Sequence, residues 1–498
     1  MTEAILPHLS ALAISVPLAG APIAFLAGFR WGKPIALVTS LLFVVAASAL
    51  ALSVAERGES VYQIGGWEAP LGISLVADGL SATFVLITSV VGLGITVYAL
   101  AYFTDADRYR FFWSLWLFLL ASMAALFLSG DVFNLYVCLE LVTVSAVALV
   151  SLSGRRETLI AAMRYLLAAI LGSLFYLLGV GLLYGAFGVL DMRSLADVIE
   201  VSVTGQAAFA LITVGMMMKT ALFPLHFWLP PAHANAPSPV SAALSALVIK
   251  GSFYILLRLW TEVADPSYIP GAGLMLGVLG AVAIVWGSLQ ALRQVRLKML
   301  VAYSTVAQVG YLFILFPIVT AGGGYAADAW SAGVFHVVSH ALAKGGMFLA
   351  AGAVLVRLGH DRLDGLAGLA RRSPLAVMAF GFAGVTMRGL PPSGGFVVKW
   401  LYITAAIESG AWWWAAVVLT GGLLAALYMA RVIGPAFGRA DAPGGDIVVD
   451  AGRTASLRTM ELVALALAVG ALALGIVAQP LLDLMAVGAP FAGPGMTP

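Results

Sequence analysis

Met216-Met-Met-Lys219-Thr-Ala-Leu-Phe-Pro224-Leu-His226 puts a lysine in a long apolar run, with a proline five residues beyond it. A run of this kind reads as a transmembrane helix. Proline inside it removes one amide donor and frees a carbonyl about four residues upstream, close to Lys219. Irregular backbone at membrane depth is tolerated where protein buries it or where it lines a hydrated cavity. Transporters use such broken helices around the ions they handle. The stretch therefore predicts a polytopic membrane protein with an interior built for charge. The competing reading makes the Lys219 ammonium a plain cap for the freed carbonyls.

The remaining sequence agrees with a membrane protein. Of 498 residues, 62% are hydrophobic and only 10% charged, against about 25% charged in soluble domains. Strand-length alternation of the β-barrel kind is absent. A net charge of +2 without a basic patch argues against nucleic acid. The single cysteine, Cys138, excludes a disulfide within the chain and a cysteine-ligated iron–sulfur cluster. Gly322–Gly324 is followed by Tyr325 rather than Lys-Ser/Thr, so it is a loop and not a phosphate cradle. The first apolar segment contains Pro7, Pro17 and Pro22 and lacks a basic leader, which predicts a spanning helix rather than a cleaved signal peptide.

Apolar runs between polar breaks predict an all-α protein of about 14 helices: 8–29, 34–54, 79–103, 111–129, 132–152, 159–187, 206–229, 239–260, 269–292, 300–321, 330–357, 374–407, 411–436 and 460–485. The seventh is broken at Pro224, and the twelfth at Gly389, Pro391 and Pro392. Connections after odd-numbered helices, with their flanks, carry 18 Lys and Arg, whereas those after even-numbered helices carry only Arg57, Arg193 and Arg258. The positive-inside rule then puts odd connections in the cytoplasm and both termini outside. Gly438 to Thr459 is expected to be a cytoplasmic loop.

Within the expected spans, Glu140, Lys219, Lys250 and Lys399 are isolated ionisable residues. A charge at the bilayer centre costs at least about 2.5 kcal/mol on insertion scales, so each is a candidate functional site. Burial raises a carboxyl pKa and a nearby ammonium lowers it, so Glu140 is placed to exchange protons. Its structural alternative is an ion pair locking two helices. Lys250 lies about 15 Å of helical rise into its span, too deep to reach the interface easily. Lys399 follows the Gly389-Leu-Pro-Pro-Ser-Gly-Gly-Phe break as Lys219 accompanies the Pro224 break. Two broken helices five apart have opposite orientation, as inverted repeats require.

His336, His340 and Lys344 recur every four residues, on one face of the eleventh helix. Histidine titrates near neutrality and relays protons. Zinc is the competing ligand for such a pair, but no Glu lies between the histidines as in a zincin and no third ligand is evident. A solvated structural stripe is the other alternative. His226 and His233 stand where the seventh helix ends and are candidates for proton entry, or bystanders. Arg388 directly precedes the second break. It is either the counterpart of Lys219 or a structural group bonding broken carbonyls or pairing with Glu408, and a guanidinium hardly deprotonates.

At this point several motifs are recognisable together: Gly215-Met-Met-Met-Lys-Thr-Ala-Leu-Phe-Pro-Leu-His-Phe-Trp-Leu-Pro-Pro-Ala-His, Leu297-Lys-Met-Leu-Val-Ala-Tyr-Ser, Phe335-His-Val-Val-Ser-His-Ala-Leu-Ala-Lys and Gly389-Leu-Pro-Pro-Ser-Gly-Gly-Phe-Val-Val-Lys. In this order, across roughly residues 75–435, they resemble the antiporter-like subunits of respiratory complex I, Mrp-type sodium/proton antiporters and membrane-bound hydrogenases. The resemblance implies inverted five-helix repeats of helices 4–8 and 9–13. The corresponding units are residues 1–110, 111–260, 261–438 and 439–498. It also implies that Glu140, Lys219, Lys250 and Lys399 are the family's fifth-, seventh-, eighth- and twelfth-helix charges, with His336, His340 and Lys344 on its relay. The lysine at 399, the Trp-Leu-Pro-Pro-Ala-His segment and the chain's end at Pro498 resemble the D-type chain of Mrp antiporters most. Arg388 and Arg164 depart from the family pattern.

The expectation is a proton-translocating subunit of a multisubunit cation (Na+)/H+ antiporter in a bacterial inner membrane, beside other membrane subunits, without cofactor or metal. The alternatives are a proton-pumping subunit of a redox-driven complex, in which the chain would be part of a translocating oxidoreductase, and a structural subunit without transport.

Overall fold

The computed structural model describes residues 8–264, 271–438 and 451–491. Lipid offers no hydrogen-bond partner to a backbone, so chains cross it as helices that satisfy themselves. Among the described residues, ten helices are long and apolar enough to span a membrane, and Phe112–Leu128 and Pro374–Arg388 are shorter apolar ones. The protein is an all-α, multi-pass membrane protein.

The helices fall on the expected segments, with informative differences. Leu9–Arg57 runs through both of the first two spans without a loop and turns at Gly28, whose φ is 71°. Gly20 packs against Thr39, although a straight helix would hold them about 28 Å apart, so the two arms fold back on each other. The connection after Arg57 forms an unexpected antiparallel hairpin, Ser60–Gln63 with Ser74–Ala77. The loop expected at 438–459 is shorter than its polarity implies, because helix Ala451–Ala473 begins before Thr459; positions 439–450 lie outside the described residues. The last expected span divides into Ala451–Ala473 and Gln479–Ala486.

Connections of like parity meet. After even-numbered spans, Glu59 bonds Arg193 at 2.9 Å, Asp78 bonds Arg258, and Asp131 bridges Asp191. After odd-numbered spans, Lys33 donates to the Phe103 carbonyl at 3.2 Å, Arg296 bridges Arg362, and Arg431 donates to the carbonyls of Leu292 and Gln294. At each of these contacts, connections of the same parity lie together.

Burial ranks the helices. Ser238–Val263 is wholly buried over its apolar window and Leu297–Val319 nearly so, and Tyr325–Leu358 packs beside them. Trp413–Phe437 and the first hairpin are peripheral. Small residues let the packed helices approach. A Cβ on Gly172 would lie 2.9 Å from the Gly215 carbonyl, and one on Gly215 would lie 2.4 Å from the Gly172 carbonyl. This pair sets the spacing of helices Arg156–Phe187 and Val203–Thr220, the second of which carries Lys219. Gly215→Leu is expected to push them apart and destabilise the detergent-solubilised protein by about 1–3 kcal/mol; thermal unfolding followed by size-exclusion fluorescence measures it, and an unchanged midpoint would contradict the close-packing argument.

Candidate functional site

Helix Val203–Thr220 ends four residues before Pro224, and Ala221 follows in the left-handed region at φ 58°. Two carbonyls at this helix end, those of Met217 and Met218, are satisfied locally. Leu222 N–H donates to Met217 at 3.0 Å, and Ala221 N–H and the Trp228 indole donate to Met218 at 3.2 and 3.0 Å. The Lys219 ammonium caps neither of them and is bonded to another helix. Its Nζ donates to Glu140 Oε1 at 3.0 Å and to Thr143 Oγ1 at 2.9 Å. Glu140 and Thr143 are three residues apart on helix Val132–Ser151, and so share a face. The Ser173 hydroxyl donates to the same carboxylate from helix Arg156–Phe187. The lysine side chain is 5% exposed and the glutamate 26%. Three helices thus converge on one ion pair.

The second cluster lies in the most buried helices. Lys250 Nζ bonds His340 Nδ1 at 2.7 Å and also donates to the Ser245 carbonyl. Residues Leu244–Val248 are π-helical, a widening that changes which carbonyls remain available to side chains. The His336 and His340 rings are 5.5 Å apart, and His336 Nε2 bonds the Gln308 carbonyl at 3.1 Å. Lys344 donates to the Val301 carbonyl at 3.1 Å and to Ser304. All three members of the face are buried, so it is not a solvated stripe.

The third site is the twelfth-span break. Helix Pro374–Arg388 ends at Gly389, and Gly394–Glu408 resumes. Here the lysine does act as the cap: Lys399 Nζ donates to the Arg388 carbonyl at 2.6 Å and to Met387 at 3.3 Å. It also lies 5.2 Å from the centre of the Tyr311 ring, which in turn sits 5.7 Å from His336. Lys399, Tyr311, His336, His340 and Lys250 form a continuous contact series. Arg388 does not pair with Glu408, because Arg388 ends the first segment, Glu408 ends the second, the whole second segment lies between them, and Glu408 is exposed.

His233 is fully buried, bonds the Ser241 carbonyl at 3.2 Å and stacks on Phe348. His226 is half-buried in the turn against Phe223. Between the Glu140–Lys219 pair and Lys250, the polar link is Thr220 to Ser252 at 2.9 Å, joining neighbouring helices.

Two buried charges escape a reading by spans. Lys298, in a basic run that looks like a connection, is 2% exposed and donates to the Ala236 carbonyl at 2.5 Å. Arg258, taken as a connection residue, is 3% exposed and ends a helix. It grips Asp78 at 2.5 and 2.7 Å and Glu262 at 2.6 Å. Its helical distance from Glu262 is visible in the sequence, but its partner Asp78 is 180 residues away. Thr143, Ser173 and Tyr311 carry no signal, since hydroxyls are common in such helices.

Removing one member of the Glu140–Lys219 pair strands the other. Glu140→Leu is expected to lower stability by about 3 kcal/mol, at the low end for a buried pair because the carboxylate is partly exposed. Glu140→Leu/Lys219→Met should recover most of that loss. Thermal unfolding of the three proteins tests the coupling, and additive losses would refute it.

The family described as NADH:quinone oxidoreductase/Mrp antiporter matches residues 129–425, and that of the complex I chain 5 N-terminus matches residues 63–112. The N-type chain of an NADH-quinone oxidoreductase from Desulforudis audaxviator is 37% identical over 86% of each chain. The D-type chain of a Na(+)/H(+) antiporter from Alkalihalophilus pseudofirmus is 30% identical over 78% of each. Among solved structures, a chain of the Mrp complex from Dietzia sp. superposes with a TM-score of 0.86 at 26% identity, covering 98% of this chain and 97% of that one. A chain of an archaeal membrane-bound sulfane sulfur reductase gives 0.86 at 29% identity, covering 97% and 98%. With the broken helices, the buried charges and these similarities in agreement, the chain belongs to the NADH:quinone oxidoreductase/Mrp antiporter family of membrane subunits.

Proposed function

We propose that the chain is the proton-translocating membrane subunit of a multisubunit monovalent cation (Na+)/H+ antiporter. The observation that carries the reading is the buried contact series from Lys250 through His340, His336 and Tyr311 to Lys399, with the Glu140–Lys219 pair between adjoining helices. These are titratable groups at depths where lipid excludes charge, arranged so that each touches the next. Glu140 and Lys219 act as the gate. When they separate, each charge is left without its counter-ion in a dry setting, which couples the pair's rearrangement to proton movement. Lys250, the histidines, Lys344 and Lys399 pass the proton on, and His226 and His233 lie toward its entry. Moving one charge across 100 mV involves about 2.3 kcal/mol, a scale that the loss of one buried ion pair matches.

In this reading the five-helix units 111–260 and 261–438 are inverted repeats, each with one broken helix and a lysine beside the break. The basic end of the bundle faces the cytoplasm of a bacterial cell, and the first and last spans have their free ends outside. Other membrane subunits surround the chain, as in the multisubunit complexes of its structural relatives.

A second reading has a specific observation in its favour. The 37% identity to the N-type chain of an NADH-quinone oxidoreductase supports a redox-driven pump using the same buried groups.

Lys219→Ala in the assembled complex is expected to cut sodium-driven proton movement in inverted vesicles to below a tenth, with the other subunits still co-purifying. Full activity would leave the chain a structural role only. Proton movement driven by a quinone-reducing electron donor, and indifferent to sodium, would favour the second reading.

A further inference from the structure

We propose that the lateral face around Arg388 is an interface that receives a transmembrane helix of another subunit, and that this helix carries a carboxylate at mid-membrane depth. The proposal rests on the reading of the chain as one subunit of a complex.

Arg388 lies about 21 Å of helical rise from Pro374, and the second segment of the broken pair continues about as far beyond the break. The guanidinium is thus near the middle of the pair, remote from either headgroup layer of a core about 30 Å thick. Its Nε is buried without a hydrogen-bond partner, and no ion pair joins it to any described residue. The neighbouring cation offers no help, because Lys399 Nζ is spent on the Met387 and Arg388 carbonyls. Helices Ala272–Arg293, Leu297–Val319, Tyr325–Leu358, Pro374–Arg388, Gly394–Glu408 and Trp413–Phe437 contain only Asp328 and Glu408 as acids, both at helix ends. Helix Ala451–Ala473, which packs on Pro374–Arg388, adds the buried Glu461, but that residue lies beside Ser373 and Arg357, at the opposite end of the helix from Arg388. Within these helices two cations therefore share this depth with no anion.

The surface around them is shaped to be filled. A groove of about 520 Å³ lies between helices Pro374–Arg388 and Trp413–Phe437, walled by Met378, Val385, Met429 and Ile433. A second groove of about 470 Å³ is walled by Leu390, Lys399, Trp400, Leu419 and Leu423. Arg388 and Ala426 line both, so the guanidinium stands where the two meet. Acyl chains fill apolar grooves but leave a guanidinium unpaired, and at this depth a headgroup phosphate is out of reach. A carboxylate on a neighbouring transmembrane helix satisfies the planar donor fork and the apolar walls together.

The test uses the complex purified from native membranes through a tag on this chain. A photoactivatable benzoylphenylalanine replaces Leu423, which is 71% exposed on the groove wall, and the adduct is mapped by mass spectrometry. The expected adduct is a transmembrane peptide of a co-purifying subunit with an Asp or Glu within about one helical turn of the attachment site. In parallel, Arg388→Met should reduce recovery of that same subunit about tenfold or more, because it strands a buried carboxylate. Arg388→Lys should retain most of it, and the chain's own abundance in the membrane should hold in both. Adducts to phospholipid alone, to a segment without an acid, or undiminished recovery with Arg388→Met would overturn the proposal while leaving the subunit reading intact. Purification of the chain with no other subunit would instead refute the subunit reading itself.

Discussion

A helix broken inside a membrane leaves carbonyls and amides without intrahelical partners, in a medium that supplies none. How each break is repaired decides what the nearby lysine is free to do. At the first, Leu222, Ala221 and Trp228 take up the Met217 and Met218 carbonyls, which releases Lys219 for Glu140. At the second, Lys399 itself holds the Met387 and Arg388 carbonyls. Two breaks that look alike in sequence therefore place their lysines in different chemical states: one is ion-paired, the other a carbonyl cap.

Around this contrast the buried helices form a graded interior. The ion pair lies near the periphery, where its carboxylate is partly exposed. Lys250 and the histidines lie in helices covered on all sides. The π-helical segment Leu244–Val248 shifts the Ser245 carbonyl onto Lys250 and so holds its ammonium against His340. At one end of the same helix Arg258 clamps Asp78, which also caps helix Gly79–Tyr102 through Ser81. The helix carrying Lys250 is thereby tied to the start of helix Gly79–Tyr102 by a buried charge pair.

The distribution of acids separates the halves. The first contains Glu140 at depth; the described helices between Ala272 and Phe437 contain cations at depth and acids only at helix ends. An arrangement so unbalanced within one chain is costly in lipid alone and natural in a complex, where a neighbour contributes the missing charge.

Composition, the spacing of apolar runs and the positions of Pro224 and Gly389-Leu-Pro-Pro made the helical membrane architecture legible, because hydrocarbon thickness and proline geometry act locally along the chain. The same local rule exposed Glu140, Lys219, Lys250 and Lys399, since a charge within a twenty-residue apolar run is conspicuous by itself. It failed for Lys298 and Arg258, which sit at helix ends where charges are ordinary, and for the hairpin at Ser60–Ala77, whose strands are too short to announce themselves. Partners were beyond its reach. Whether Lys219 capped carbonyls or met an acid, whether the histidine face was wet or buried, and whether Arg388 reached Glu408 all depended on which helices lie side by side. That is set by close packing at contacts such as Gly172 on Gly215, between residues far apart in the chain. A charge inside an apolar run is a local property of the chain, whereas the group it faces is fixed by the packing of helices distant in sequence.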